Sequence, residues 1–176
     1  MKKNKRLKRI ILSGLFIAIG MVLPIITGNI PKIGNALLPM HLPVFLCGII
    51  CGPFMGCIVG IIIPILRSFI FGMPPFMPNA IVMAIELFSY GLVIGLLYKM
   101  FKNKNFISVL ISLLCAMIIG RVAWGLSKYF ILGFNNTIFT FEDFIAGGIT
   151  TAIPGMIFQI VFIPSFVTFL KKIKLI

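Results

Sequence analysis

Three long stretches of the chain carry no charge: Ile10 to Pro31, Gly34 to Leu66, and Phe144 to Leu170. Each matches or exceeds the ~20 apolar residues needed to cross a bilayer as helix. In lipid every backbone amide must find an internal partner, so runs of this length fold as helices. Composition closes off a soluble core. The chain has 176 residues, 60% of them apolar and 11% charged, whereas a soluble domain carries roughly a quarter charged residues. A chain this short leaves much of its surface outside any core, and surface this apolar calls for lipid as its solvent. The sequence therefore predicts an all-α, polytopic membrane protein forming one integral membrane domain over 1–176.

The net charge of +13 raises the question of nucleic acid, and the placement of the charges answers it. Six basic residues lie in Met1–Arg9, three in Lys99–Lys104 and three in the tail at Lys171, Lys172 and Lys174. They flank apolar segments, as cytoplasmic loops do, and form no continuous basic face of the kind that binds nucleic acid. A basic start before an apolar run also resembles a signal peptide. No small-residue cleavage site follows, and the run is long enough to span, so a retained signal-anchor helix is expected. Cys47, Cys51, Cys57 and Cys115 sit in apolar text with no His or carboxylate at ligand spacing, which reads as buried thiols and no metal site.

Along the chain, helices are expected at about 7–26, 41–52, 54–71, 79–100, 106–132 and 141–170. The second is short, about 18 Å at 1.5 Å per residue. Thr27 to Met40 is an outer loop rich in Gly, Pro and Asn. Pro53 suits a first helical turn, and Asn79 is expected to cap the fourth helix. Between them, Gly72 to Pro78 holds three prolines and cannot continue a helix. Lys102 to Asn105 is an inner turn and Gly133 to Thr140 an outer one. Pro154 and Pro164 are expected to bend the last helix rather than end it. Six helices bring both termini to one side. The amino terminus, the inner turn and the tail hold twelve of the sixteen Lys and Arg, so that side is the cytoplasm.

Two features concern packing. Gly48, Gly52, Gly56 and Gly60, then Gly91 and Gly95, recur at spacing four, which lets backbones approach closely in lipid. Gly14 and Ala18 make a similar face on the first helix. That face either packs within the protein or docks another membrane subunit.

Charges inside the membrane are costly unless paired or functional, and there are four: Arg67, Glu86, Arg121 and Lys128. On this topology Arg67 and Lys128 lie near the outer surface, with Glu86 and Arg121 about two to three turns inward. Glu86 is expected to pair with Arg121 or Arg67. One carboxylate cannot neutralise three cations, and the surplus points to an anionic ligand beneath the outer face, unless Arg67 and Lys128 only snorkel to the interface. Asn35, His41, Asn79, Tyr90, Trp124 and Gln159 are the polar or amphipathic groups available to line such a site. Trp124 shares a helix face with Arg121. The chain shows no Walker loop, paired-carboxylate site, metal cluster or nucleophile elbow, which argues against ATP hydrolysis and leaves an enzyme little to work with.

In order along the chain stand the basic start with Gly14 and Ala18, Leu38-Pro-Met-His-Leu-Pro43, Leu66-Arg-Ser68, Phe71-Gly-Met-Pro-Pro75, Glu86 with Tyr90-Gly91, Gly120-Arg121, and Ala152-Ile-Pro-Gly155. With the six-helix layout, this series resembles the substrate-binding membrane subunits (S components) of energy-coupling factor (ECF) vitamin transporters, most of all the group assigned to pantothenate. The resemblance covers nearly the whole chain. It implies a vitamin-capturing subunit in a bacterial plasma membrane, partnered by a transmembrane coupling subunit and two cytoplasmic ATPases, and needing no cofactor. It further implies a site near the outer face roofed by the first loop, transport by toppling of the whole subunit, and docking through helix one. Family members often carry Ala-xxx-Ala there, where this chain has Gly14 and Ala18.

The intramembrane balance is net positive, which disfavours a cationic vitamin, and one Trp with three Tyr is thin lining for a flavin. Pantothenate, with one carboxylate, an amide and two hydroxyls, suits a guanidinium flanked by amide and hydroxyl partners. Niacin or folate satisfies the charge argument equally, and riboflavin, pyridoxine or cobalamin types remain alternatives within the family. A small membrane enzyme, or a structural protein with no need of buried charge, are the readings outside it. Orientation is testable directly. Cysteine labelling from outside intact cells is expected to modify Asn136→Cys and to leave Asn103→Cys untouched; the reverse pattern overturns the topology.

Overall fold

A computed structural model describes residues 2–28, 38–134 and 140–173. Its helices are α1 (Lys2–Gly28), α2 (His41–Cys51), α3 (Pro53–Phe71), α4 (Ile81–Met100), α5 (Phe106–Phe134), α6 (Phe141–Phe144) and α7 (Ile153–Lys172). A kinked turn, Phe76–Ala80, extended at Met77 (φ −113°, ψ 133°), leads into α4. A π-helical turn, Ile145–Ile149, and a 3₁₀ turn, Thr150–Ala152, join α6 to α7. The described residues contain no strand. Five stretches are long and apolar enough to cross a membrane: Arg6–Thr27, Pro53–Phe71, Phe76–Met100, Phe106–Gly133 and Phe141–Lys172. The short α2 makes the sixth apolar helix.

The ends of these helices follow local chemistry. Gly52 has φ 98°, so the chain turns sharply through a left-handed residue before Pro53 opens α3. Gly72, with φ 67°, closes α3 and donates its N–H to the Ser68 carbonyl at 3.0 Å. At α6, Thr140 and Asp143 form a reciprocal capping box: Asp143 N–H donates to Thr140 Oγ1 at 3.2 Å, and Thr140 N–H donates to Asp143 Oδ2 at 3.0 Å.

One local expectation is corrected. Asn79 does not cap α4; it is exposed, and no side-chain cap is made there. Met77, the residue before Pro78, is the extended one, so the helical path already starts at Pro78 and Asn79 falls inside its first turn. The last helical stretch runs without interruption from Phe141 to Lys172 and passes through a π-helical turn and a 3₁₀ turn just ahead of Pro154, which has no N–H to offer the preceding turn. Pro164 does lie inside α7 and Pro24 inside α1.

α4 is the centre of the bundle, packed against α2, α3 and α5, while α1 rests on α2 and α3, and α7 on α5 and α2. The spaced glycines explain how closely α4 is approached. A Cβ on Gly56 would stand 2.8 Å from the Gly91 carbonyl oxygen, and one on Gly48 2.9 Å from the same atom. At Gly60 it would strike the backbone of Leu87, at Gly91 that of Gly56, and at Gly95 that of Pro53. Backbone meets backbone here, as small-residue spacing allows in lipid. Gly52 is the exception in the series, since a Cβ there meets no atom within 4 Å and its backbone conformation is what requires glycine. The outer side of α1 is the least buried of the spans. Between α1 and α7 runs an apolar groove of about 560 Å³, lined by Leu12, Phe16, Ile19, Leu23, Leu42 and Phe162 among others.

Because the atoms facing Gly91 are main chain, they cannot swing away from an added methyl group. Gly91→Ala is expected to cost about 1–3 kcal/mol, read as a lowered thermal midpoint of the purified protein. Gly14→Ala, which meets open space, is expected to leave the midpoint unchanged or raised. Equal midpoints for the two variants would remove the backbone seam from the account.

Candidate functional site

Four of the expected site residues converge on one buried carboxylate. Glu86 and Tyr90 lie one turn apart on α4, Arg121 comes from α5, and His41 opens α2. Arg121 Nη1 donates to Glu86 Oε1 at 2.8 Å, Tyr90 Oη donates to the same oxygen at 2.8 Å, and His41 Nε2 stands 3.6 Å away. Glu86 is 2% exposed and Arg121 8%. Their level in the bundle is consistent from both helices: Glu86 lies about 21 Å from Met100 along α4, and Arg121 about 23 Å from Phe106 along α5. A buried charge pair holds only with near-ideal geometry, and Glu86 meets this by taking a guanidinium and a phenol together.

Two residues beyond the expected set position this cluster. The Tyr90 ring packs on Phe45, with centroids 4.8 Å apart, and tilts against His41 at 5.4 Å. Its other side lies on Gly120, where a Cβ would collide with the ring. Gly120 thus admits the ring that delivers a hydroxyl to Glu86. A glycine next to an intramembrane arginine is the sequence signal for it; Phe45 carries no comparable signal in so apolar a helix.

The cluster leaves donors over. Arg121 Nε and Nη2 and both His41 ring nitrogens are buried without a hydrogen-bond partner among the described residues. Buried polar groups are nearly always paired. In Arg121 the two unpaired atoms form one side of the guanidinium fork, the side-on edge that binds a carboxylate through two parallel N–H···O bonds.

The remaining candidates are placed elsewhere. Along α5, Trp124 lies one turn beyond Arg121, with Lys128 Nζ 4.7 Å from its ring centroid. The indole packs toward Phe144 at 6.1 Å and over Gly147 and Gly148, whose added Cβ atoms would stand 3.2 and 3.0 Å from it. Trp124 and Lys128 therefore form a second patch, on the same helix and nearer the chain end of α5. Arg67 does not join Glu86. Its Nη1 donates to the Met21 carbonyl of α1 at 3.0 Å, and its guanidinium lies 5.4 Å from the Phe71 ring centroid. Gln159 Nε2 donates to the Leu38 carbonyl at 3.3 Å, the same oxygen that accepts His41 N–H at 3.0 Å, so α7 helps fix the start of α2. Asn79 is exposed, and Asn35 lies outside the described residues. Gly14 and Ala18 are both exposed on α1. Among the described residues no three His, Cys, Asp or Glu side chains group as metal ligands. The arrangement offers hydrogen-bond donors and positive charge, the means to bind an anion.

Comparison with known families matches residues 8–176 to the model of the ECF transporter, substrate-specific component. Comparisons with curated proteins and with solved structures gave no match.

Proposed function

Since the chain belongs to the substrate-specific component family of ECF transporters, a family of substrate-binding subunits rather than enzymes, we propose that it captures a small anionic vitamin, pantothenate above others, with Arg121 receiving the carboxylate. The observation that carries this reading is the divided guanidinium. Glu86 holds Arg121 through Nη1, while Nε and Nη2 are buried and unpartnered. On this reading Glu86 is a positioning residue that orients the arginine, His41 and Tyr90 stand within reach of the ligand's polar groups, and Trp124 with Lys128 borders it on the outer side. Arg67, engaged by the Met21 carbonyl, is a tie between α1 and α3. Niacin or folate offers the same carboxylate. Pantothenate's amide and hydroxyls match the additional donors and acceptors at His41 and Tyr90.

A subunit of this kind delivers its ligand with a coupling subunit and two ATPases in the plasma membrane, its termini in the cytoplasm. The side of α1 bearing Gly14 and Ala18 is the surface proposed to meet the coupling subunit. It is exposed, and a Cβ at Gly14 meets no atom within 4 Å, so no contact among the described residues requires Gly14 to be small.

Calorimetry on the purified protein tests the site. Pantothenate is expected to bind and its uncharged alcohol analogue to bind far more weakly. Arg121→Gln removes a buried charge partner, a cost of ~3–5 kcal/mol, or roughly two to four powers of ten in affinity. Arg121→Lys is expected to fare little better, because an ammonium lacks the planar fork. Glu86→Gln is expected to weaken binding although the ligand is an anion. Equal affinity for acid and alcohol rules out the carboxylate contact, and tighter binding by Glu86→Gln rules out its positioning role.

Docking is tested separately by Gly14→Leu combined with Ala18→Leu, which block close backbone approach. Uptake in cells is expected to be lost while binding by the isolated subunit persists. Unchanged uptake would assign the face to lipid.

A further inference from the structure

The inner end of the bundle holds positive charge that the chain cannot balance. Its only acidic residues are Glu86, Glu142 and Asp143. Glu86 is committed to Arg121 and lies about 18 Å along α4 from Tyr98. Glu142 and Asp143 sit in α6, at the opposite end of the last helical stretch. At the inner end, Lys104 Nζ and Lys171 Nζ lie 5.5 and 5.1 Å from the ring centroid of one tyrosine, Tyr98. Lys171 Nζ also donates to the Lys104 backbone carbonyl, which pins the end of α7 to the turn between α4 and α5. Tyr98 is 5% exposed, and its hydroxyl is buried without a hydrogen-bond partner.

Two ammonium groups drawn to one ring repel each other, and a buried phenol with no partner is costly. A single anion between them answers both. It must offer several acceptor oxygens, and it must be available where a membrane's polar surface meets the helix ends. We propose that Lys104, Tyr98 and Lys171 form a binding site for the phosphate group of an anionic phospholipid. Basic pockets between transmembrane helices recognise such headgroups: the lysines supply charge and Tyr98 a directed O–H donor. The site lies far from Arg121 and is independent of the vitamin assignment. Its role is to hold α7, the α4–α5 turn and the bilayer surface in one arrangement.

The test uses the purified full chain in nanodiscs of phosphatidylcholine or of phosphatidylcholine mixed with phosphatidylglycerol, then native mass spectrometry of lipid retained after release. Phosphatidylglycerol is expected to be retained in about tenfold preference, and Lys104→Gln with Lys171→Gln to abolish the preference. Tyr98→Phe, which keeps the ring and removes only the donor, is expected to weaken it about tenfold. Lys99→Gln with Lys172→Gln, exposed lysines of the same end, is expected to leave it intact. An equal loss in that control shows only diffuse attraction and overturns the site. Full preference in Tyr98→Phe and in the Lys104/Lys171 variant also overturns it, leaving an acidic surface of a partner protein to meet these lysines. Millimolar inorganic phosphate is expected not to displace the lipid; if it does so completely, the site belongs to free phosphate and the lipid assignment fails.

Discussion

The contact between Arg121 and Glu86 is the constraint around which the other helices are arranged. Two opposite charges buried within an apolar bundle lose most of their hydration, and separating them there would leave each uncompensated. They must therefore meet with accurate geometry, which fixes the register of α4 against α5. Tyr90 adds a second donor to the same carboxylate oxygen, and its ring then dictates what can stand beside it: Phe45 on one side and a glycine, Gly120, on the other. Through His41 and Phe45 the start of α2 is set by the same pair. A polar contact inside an apolar bundle thus selects one alignment from many that apolar packing alone would accept.

That alignment needs close approach, which the glycines of α2, α3 and α4 supply. In lipid there is no hydrophobic penalty for leaving two helices apart, so association depends on packing and directed contacts. Gly56 and Gly60 let α3 lie directly on the α4 main chain at Gly91 and Leu87, and Gly48 lets α2 share the Gly91 carbonyl region. The charge pair specifies the register, and the seam of glycines holds the helices near enough for the pair to form.

Much of this was visible in the sequence because lipid leaves few choices. Charge-free stretches dictate helices, Gly-Pro junctions dictate turns, and the boundaries at His41, Phe71, Met100 and Phe106 follow from them. Membership of Glu86, Arg121, Tyr90 and His41 in one cluster was legible because buried polar groups in so apolar a chain have few possible partners. What could not be read was the choice between partners. Arg67 is an intramembrane arginine like Arg121, but it turns to a backbone carbonyl of α1 beside Pro24, a contact no side-chain inventory contains. Asn79 looks like a cap on composition, yet the extended residue is Met77 and the helical path already starts at Pro78, one residue before it.

The glycine seam has a mechanical consequence. A carrier that opens its site by sliding one helix past another relies on side chains that can exchange neighbours as they move. Between α3 and α4 the surfaces in contact are peptide planes, with no flexible layer to repack. Displacement of either helix would drive carbonyl groups into the opposing main chain within a fraction of a turn. The seam therefore clamps α2, α3 and α4 as one block, and sliding within it is resisted by main chain rather than by side chains that could repack.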